Sequence, residues 1–333
     1  MTSHIVLGIE SSCDDSAAAV LVDGELRSSV MSSQIDIHAR YGGVVPEIAA
    51  RQHERSLLPA IEEALILSGV DYADLSCIAV TRGPGLVGSL VVGVSVARAL
   101  ALVARCPVVG VNHLEAHVLS SFLEHRELEP PTLCLLVSGG HTMLVLVRGI
   151  GDYTVLGETR DDAVGEVYDK VGRYLGLGYP GGPAVDQLSL TGDPTRLSLP
   201  RPMRNEGYEM SFSGLKTATI RAVRKAPDVE VEDVCASFVA AVLDVLISKL
   251  RTAVREHEVG SICIGGGVAA SGPLRDAVER LAAEEGLGCF LPPRSMCTDN
   301  AAMIAYAGNA HLQRGTHVLD FEVLPGLRFP GAA

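Results

Sequence analysis

The 333 residues are enough for two domains, each with its own core. A 47% hydrophobic, 4% aromatic composition with 35 glycines and no tryptophan suits an α/β protein of small aliphatic residues and glycine turns. The net charge of −13 argues against a surface that grips nucleic acid all round, and eight cysteines without C-x-x-C pairing read as reduced core thiols.

Residues 4–10 form a first strand, residues 11–16 a polar turn, and residues 17–22 a second strand. Asp23-Gly24 is a hairpin turn leading to a third strand. Helical sequence follows over residues 46–67 and 86–104. The second of these is apolar enough to raise a membrane span, but Arg98 and its small residues fit a buried helix packed on a sheet. Residues 108–111 are a short strand, and Asn112 is placed to cap the next helix. After the charged stretch 124–129, Pro130-Pro131 marks a boundary, giving lobes 1–127 and 128–333, the C-terminal segment of the latter returning to the first lobe.

The second half repeats the plan. Residues 132–137 and 142–147 pair across the turn Ser138-Gly-Gly-His141, and another strand runs to Thr159. Helices are expected over residues 162–175 and 231–258, a strand over 261–264, and further helices from Ser271 and over 300–313. Two ββ(β)αβα halves predict a duplicated fold whose polar turns face a cleft.

His113-Leu-Glu-Ala-His117 puts two imidazoles one helical turn apart, so one ion can take a nitrogen from each. Asp299, just ahead of the last helix, is the candidate third ligand. In H-E-x-x-H peptidases the glutamate follows the first histidine. Glu115 is two positions on, about 200° around the helix, and so points away from the ion.

Glycine loops supply a second chemistry. Ser138-Gly139-Gly140 lets backbone N–H groups converge on an anion, and Gly265-Gly266-Gly267 sits at a strand–helix junction of the kind that holds nucleotide phosphates. In the first half the equivalent turn presents Asp14 and Asp15. Asp162, Glu166 and Asp169 are spaced as a carboxylate stripe on one helix face, and Tyr179-Pro-Gly-Gly-Pro183 is a rigid turn near Asp186. Residues 196–225 hold seven basic residues against two acidic ones, a local positive excess on an acidic chain.

These segments together resemble one family along nearly the whole chain. Ile9-Glu-Ser-Ser-Cys-Asp-Asp15, Tyr41-Gly-Gly-Val-Val-Pro-Glu47, Gly83-Pro-Gly-Leu-Val-Gly88, the His113–His117 segment and Leu136-Val-Ser-Gly-Gly-His-Thr142 match its motifs. So do Gly165-Glu-Val-Tyr-Asp-Lys170, Tyr179-Pro-Gly-Gly-Pro183, Ser211-Phe-Ser-Gly-Leu-Lys216, Gly266-Gly-Val268 and Cys297-Thr-Asp-Asn300. The chain resembles the TsaD/Gcp/YgjD family of tRNA N6-adenosine threonylcarbamoyltransferases. That resemblance implies a duplicated actin-like (ASKHA, sugar-kinase and Hsp70-like) fold. It also implies transfer of threonylcarbamoyl from threonylcarbamoyl-AMP to N6 of adenosine 37 in tRNAs reading ANN codons, with release of AMP.

The resemblance assigns one divalent metal, Fe2+ or Zn2+, to His113, His117 and Asp299. It assigns an adenine nucleotide, the donor or ATP/ADP, to Leu136, Val137, Ser138, Gly139, Gly140, Asp169, Gly182, Asp186, Gly266 and Ser271. Serine stands at 271 where the family often has asparagine, and aspartate at 15 where it commonly has glutamate. Asp14 or Asp15 would take the amine proton, and Arg196, Arg201, Arg204 and Lys216 would contact tRNA. The implied partners are tRNA, a TsaB-like paralogue and a TsaE-like P-loop ATPase, with a TsaC/Sua5-type synthase making the donor, all in the cytoplasm. A small-molecule carbamoyltransferase or kinase of the same fold, a metalloendopeptidase and a non-catalytic scaffold are the alternative readings.

Overall fold

The structure, a computed structural model, describes residues 4–316 and 319–332. The chain divides into two compact units, Met1–Glu124 with Asp299–Ala332, and His125–Thr298 with the final residue.

The first unit is built on one five-stranded sheet. Its strands are β1 (Ile5–Glu10), β2 (Asp15–Val22), β3 (Glu25–Ser33), β4 (Cys77–Gly83) and β5 (Val108–Asn112), in the order β3-β2-β1-β4-β5. β1, β2 and β3 run antiparallel, and β4 and β5 add in parallel. Asp23 and Gly24 both take positive φ (52° and 80°), the paired left-handed geometry that an Asp-Gly hairpin turn needs. The helices are α1 (Ile35–Ala39), α2 (Pro46–Ser68), α3 (Val87–Ala104), α4 (His113–Glu124) and, from the far end of the chain, α10 (Ala301–Arg314).

Strand alternation decides what each face of β1 meets. Leu7 and Ile9 belong to the core shared with residues of α2 and α3, such as Leu57, Ile61, Val94 and Ala97. Gly8 points the other way, onto α10: a Cβ there would lie 2.3 Å from the Ala301 carbonyl oxygen. That close approach seats the start of α10, and Asp299 just before it, over the β1 face that also carries Glu10.

The expectation of a buried helix packed on a sheet over residues 86–104 holds for one face only. α3 packs on α2 and β4 through Ser89, Leu90, Gly93, Val94, Ala97 and Ala101, but its outer face leaves Leu102 83% and Val103 70% exposed. By length and composition α3 is long and apolar enough to cross a membrane, with a third of that span buried. Arg98 reaches from it to donate to the Phe321 carbonyl at 2.5 Å.

The second unit repeats the sheet. Its strands are β6 (Thr132–Val137), β7 (Thr142–Gly149), β8 (Asp152–Glu158), β9 (Ser261–Gly265) and β10 (Gly288–Phe290), in the order β10-β9-β6-β7-β8. An antiparallel β6–β7–β8 run with two parallel strands beyond it matches the first sheet strand for strand. Its helices are α5 (Val164–Tyr174), α6 (Gly182–Ser189), α7 (Ser213–Lys225), α8 (Val231–Glu256) and α9 (Gly272–Glu285). Their core gathers Leu133, Leu135 and Leu144 of the sheet with Phe212, Phe238 and Leu246. All eight cysteines are free, and five are buried.

Candidate functional site

α4 starts where β5 ends. Asn112 Oδ1 accepts the N–H groups of Leu114 (2.9 Å) and Glu115 (3.2 Å), so the side chain caps the first turn and His113 is its first residue. One turn on, the His117 ring lies 4.6 Å from that of His113, edge to face. α10 is capped in the same way by Asn300 Oδ1, which accepts the Met303 N–H at 3.0 Å. The residue before this cap, Asp299, places Oδ1 3.1 Å from His117 Nε2 and 3.4 Å from His113 Nε2.

The three ligand atoms lie within 4.8 Å of one another. Two imidazole Nε2 atoms turned onto one carboxylate oxygen are the donor set that zinc or ferrous iron takes. His117 Nδ1 is buried without a hydrogen-bond partner among the described residues, so none of them fixes that ring's proton on the far side. The residues fit a divalent ion.

Sequence reading missed Glu10. Its carboxylate is wholly buried and fully engaged: Oε2 accepts from His113 Nδ1 at 2.9 Å and from Thr81 Oγ1 at 2.7 Å, and Oε1 accepts the Ser12 N–H at 2.5 Å. A carboxylate behind a ligating imidazole fixes its tautomer and aims its other nitrogen. Strand parity was the available signal, since Gly8 and Glu10 share a face of β1. Burial pushes the His113 pKa down, but Glu10 and Asp299 beside it reverse this and hold it well above the usual imidazole range. Burial pushes Asp299 up, and the two histidines outweigh that and hold it far below the ordinary carboxylate range.

Glu115 points elsewhere, as its spacing requires: Oε1 is 2.8 Å from His311 Nε2. It is committed to a contact between α4 and α10, so the peptidase's general base is absent from the histidine pair.

The turn bearing Asp14 and Asp15 is held by its backbone. The Cys13 carbonyl accepts from His53 Nε2 at 3.0 Å and from Ser89 Oγ at 3.2 Å, and His53 Nδ1 in turn accepts from Ser16 Oγ at 2.7 Å. Asp15 opens β2 with Oδ1 buried and unpartnered. Burial, with the negative charges of Asp299, Asp14 and Glu10 adding to it, pushes its carboxyl up to about 7, and burial also raises Asp14.

In the second unit, the turn after β6 closes through Ser138 N–H to the His141 carbonyl (2.8 Å) and His141 N–H to Ser138 Oγ (3.1 Å). Gly139 and Gly140 are exposed, their N–H groups make no hydrogen bond among the described residues, and a Cβ on either would meet open space. Leu136 and Val137 are fully buried β6 side chains, so they offer a ligand only backbone. Gly266 serves the chain itself: at φ 87° its Cβ would lie 2.4 Å from the Val137 carbonyl oxygen. Asp169 Oδ1 accepts the Gly181 N–H at 2.8 Å beside Gly182, the first residue of α6. Asp186, raised by burial and stabilised by hydrogen bonds from Ser271 and Tyr168, keeps Oδ1 buried and unpartnered. Ser271 Oγ also caps α9 through the Leu274 N–H at 3.4 Å.

The carboxylate stripe forms only in part, since Asp162 and Glu166 share Lys170 whereas Asp169 leaves them. Asp162 precedes α5 and bonds Lys216 (2.5 Å) and Lys170 (3.3 Å), Glu166 pairs with Lys170 (2.7 Å), and Asp169 turns to the Gly181 loop. Of the basic residues assigned to tRNA, Lys216 is thereby occupied, Arg201 pairs with Asp244 at 2.9 Å, and Arg196 lies 3.9 Å from Asp233. Arg204 is exposed.

The chain matches known proteins at three levels. The family model described as TsaD, tRNA N6-adenosine threonylcarbamoyltransferase, matches residues 25–306. Curated relatives with that description include proteins of Trichlorobacter lovleyi, 50% identical over 93% of this chain and 92% of the relative, and Dehalococcoides mccartyi, 50% identical over 97% and 98%. Another, from Halalkalibacterium halodurans, is 47% identical over 97% and 96%. Among solved structures, HypF of T. kodakarensis covers 94% of this chain and 48% of its own (TM-score 0.64, 15% identity). Component A of the Acidaminococcus fermentans (R)-2-hydroxyglutaryl-CoA dehydratase covers 91% and 96% (TM-score 0.56, 15% identity). The fold is of the actin-like ASKHA class. At half identity across nearly the full length, the chain belongs to the tRNA N6-adenosine threonylcarbamoyltransferase family and is a transferase.

Proposed function

We propose that the chain transfers threonylcarbamoyl from threonylcarbamoyl-AMP to N6 of adenosine 37 of ANN-reading tRNAs, with a divalent iron or zinc ion on His113, His117 and Asp299. The observation that carries the metal-assisted reading is the convergence of those three ligand atoms within 4.8 Å in a member of this family. When bound, such an ion supplies Lewis acidity toward a carbonyl or phosphate oxygen.

The chain's own residues account for the other requirements. Glu10 holds the His113 proton on Nδ1 and leaves Nε2 as the donor. The free amides of Gly139 and Gly140 bind phosphate charge, and the Asp169–Gly182 loop with Asp186 and Ser271 holds the nucleoside. As the amine nitrogen bonds to the carbamoyl carbon, the carbon–oxygen bond to AMP breaks, its electron pair leaves with AMP, and the amine proton passes to Asp15 or Asp14. A carboxyl held near 7 suits that proton transfer at neutral pH.

An acidic chain has limited affinity for RNA phosphates by itself, which supports work in an assembly: a TsaB-like paralogue, a TsaE-like ATPase and a TsaC/Sua5-type synthase supplying the donor, in the cytoplasm. The exposed apolar side chains of α2 and α3, among them Ile66, Leu67, Leu102 and Val103, support a protein partner on the first unit. The test is transfer from synthetic donor to unmodified tRNA, followed by nucleoside analysis. Chelation and the H113A/H117A double substitution are each expected to abolish the product. Normal transfer by the metal-free double variant rules out the metal's role.

A further inference from the structure

Apart from Arg204, exposed in the loop ahead of α7, the basic residues between 196 and 225 divide into those held in ion pairs and those on the outer face of α7. Arg201, Lys216 and Arg196 already face Asp244, Asp162 and Asp233. A cation in an ion pair has to give up that partner before it can meet a phosphate. Arg221 and Lys225, one turn apart on α7, are exposed and have no ion-pair partner among the described residues. They line an open groove of about 520 Å³, together with Ser198 and Thr217. Ser213, Thr217, Arg221 and Lys225 follow at four-residue steps, so the lined face runs about 18 Å along the helix. Arg224 flanks it, its guanidinium 5.8 Å from the centre of the Tyr174 ring.

The lining tells against a small nucleotide. Among the described residues no aromatic ring lines the groove to stack on a base, and no carboxylate lines it to neutralise the cations. Its length, and the row of hydroxyls and cations (Ser213, Thr217, Arg221, Lys225) that runs beside Leu199, Ala218 and Ala222, suit a chain of phosphates. We propose that the α7 groove is a track for the sugar–phosphate backbone of the RNA substrate, with Arg221 and Lys225 as its phosphate contacts. The proposal rests on the reading of tRNA as acceptor, and it moves the contact from the ion-paired residues to Arg221 and Lys225 at the C-terminal end of α7.

The experiment measures binding of unmodified tRNA to the full chain assembled with its TsaB-like and TsaE-like partners between 50 and 200 mM salt, wild type against R221A/K225A in that assembly, with the surface variant R280A as control. Both substitutions are at exposed positions, and circular dichroism checks that the fold is kept. Two lost phosphate contacts are expected to make the log–log salt dependence shallower by about two and to weaken binding roughly tenfold at low salt. R280A and the affinity for ATP should be unchanged. A wild-type salt dependence that R221A/K225A leaves intact overturns the track while the tRNA reading stands. Wild type without salt-dependent tRNA binding overturns both. Loss of ATP affinity with tRNA binding intact overturns the track in favour of a mononucleotide site.

Discussion

Glu10 Oε2 lies 2.9 Å from His113 Nδ1, a buried carboxylate at the end of one strand set behind an imidazole that starts a helix more than a hundred residues later. The contact gives the histidine pair an asymmetry. His113 has an anionic partner behind it, whereas His117 Nδ1 has none among the described residues. Most of the orienting force on the candidate metal site therefore falls on one imidazole.

E10Q keeps the shape of the side chain but cannot accept from His113 Nδ1 through its amide nitrogen. Affinity for Zn2+ or Co2+, measured by competition with a chromophoric chelator, is expected to fall about 10- to 100-fold. An affinity within twofold of wild type would remove Glu10 from the metal's support. The nitrogen resonances of His113 provide a second readout, because the Nδ1–H tautomer should be lost in the variant.

Asp15 gives a pH dependence whose sign follows from burial. Its folded pKa, about 7, lies above the ordinary carboxyl value. Between the two values the folded state binds the extra proton, so this group makes stability fall as pH rises toward 7. D15N is expected to be more stable than wild type at pH 8 and equal to it near pH 4. As the proton acceptor, Asp15 also predicts a transfer rate that rises through an ionisation on the acid side, absent in D15N. Identical urea midpoints for the two proteins at pH 8 would contradict the buried charge.

Gly8 joins the fold to the site. An alanine there would press its Cβ on the Ala301 carbonyl and the Ala305 side chain, and backbone would have to move. Overpacking of this kind costs about 1–3 kcal/mol, read as a lower urea midpoint. Because α10 carries Asp299 at its start, G8A should weaken metal binding as well as stability. An unchanged metal affinity in a destabilised G8A protein would uncouple the two.

Much of this was legible in the sequence. Hydrophobic periodicity, the Asp-Gly turn and the Asn112 cap placed strands and helices close to where they form, because those signals act through neighbours along the chain. The histidine pair followed from helix pitch alone, and so did the turning away of Glu115. The motifs led to the family. Local pattern misjudged what depends on partners outside it: the outer face of α3, the departure of Asp169 from the stripe, and the basic residues tied up by Asp244, Asp162 and Asp233.

The sequence by itself determined the hairpin strands, the long helices, the duplicated plan and the candidate ligand types, since each is written in spacing along the chain, whereas β4, β10, α6 and α7 did not stand out in it. Only the tertiary structure decided that α10 seats on Gly8, that Asp299 thereby meets both histidines, and that Glu10 stands behind one of them. Those contacts join residues up to about 290 positions apart. Close packing of β1 against α10 brings them together, and no local propensity encodes it.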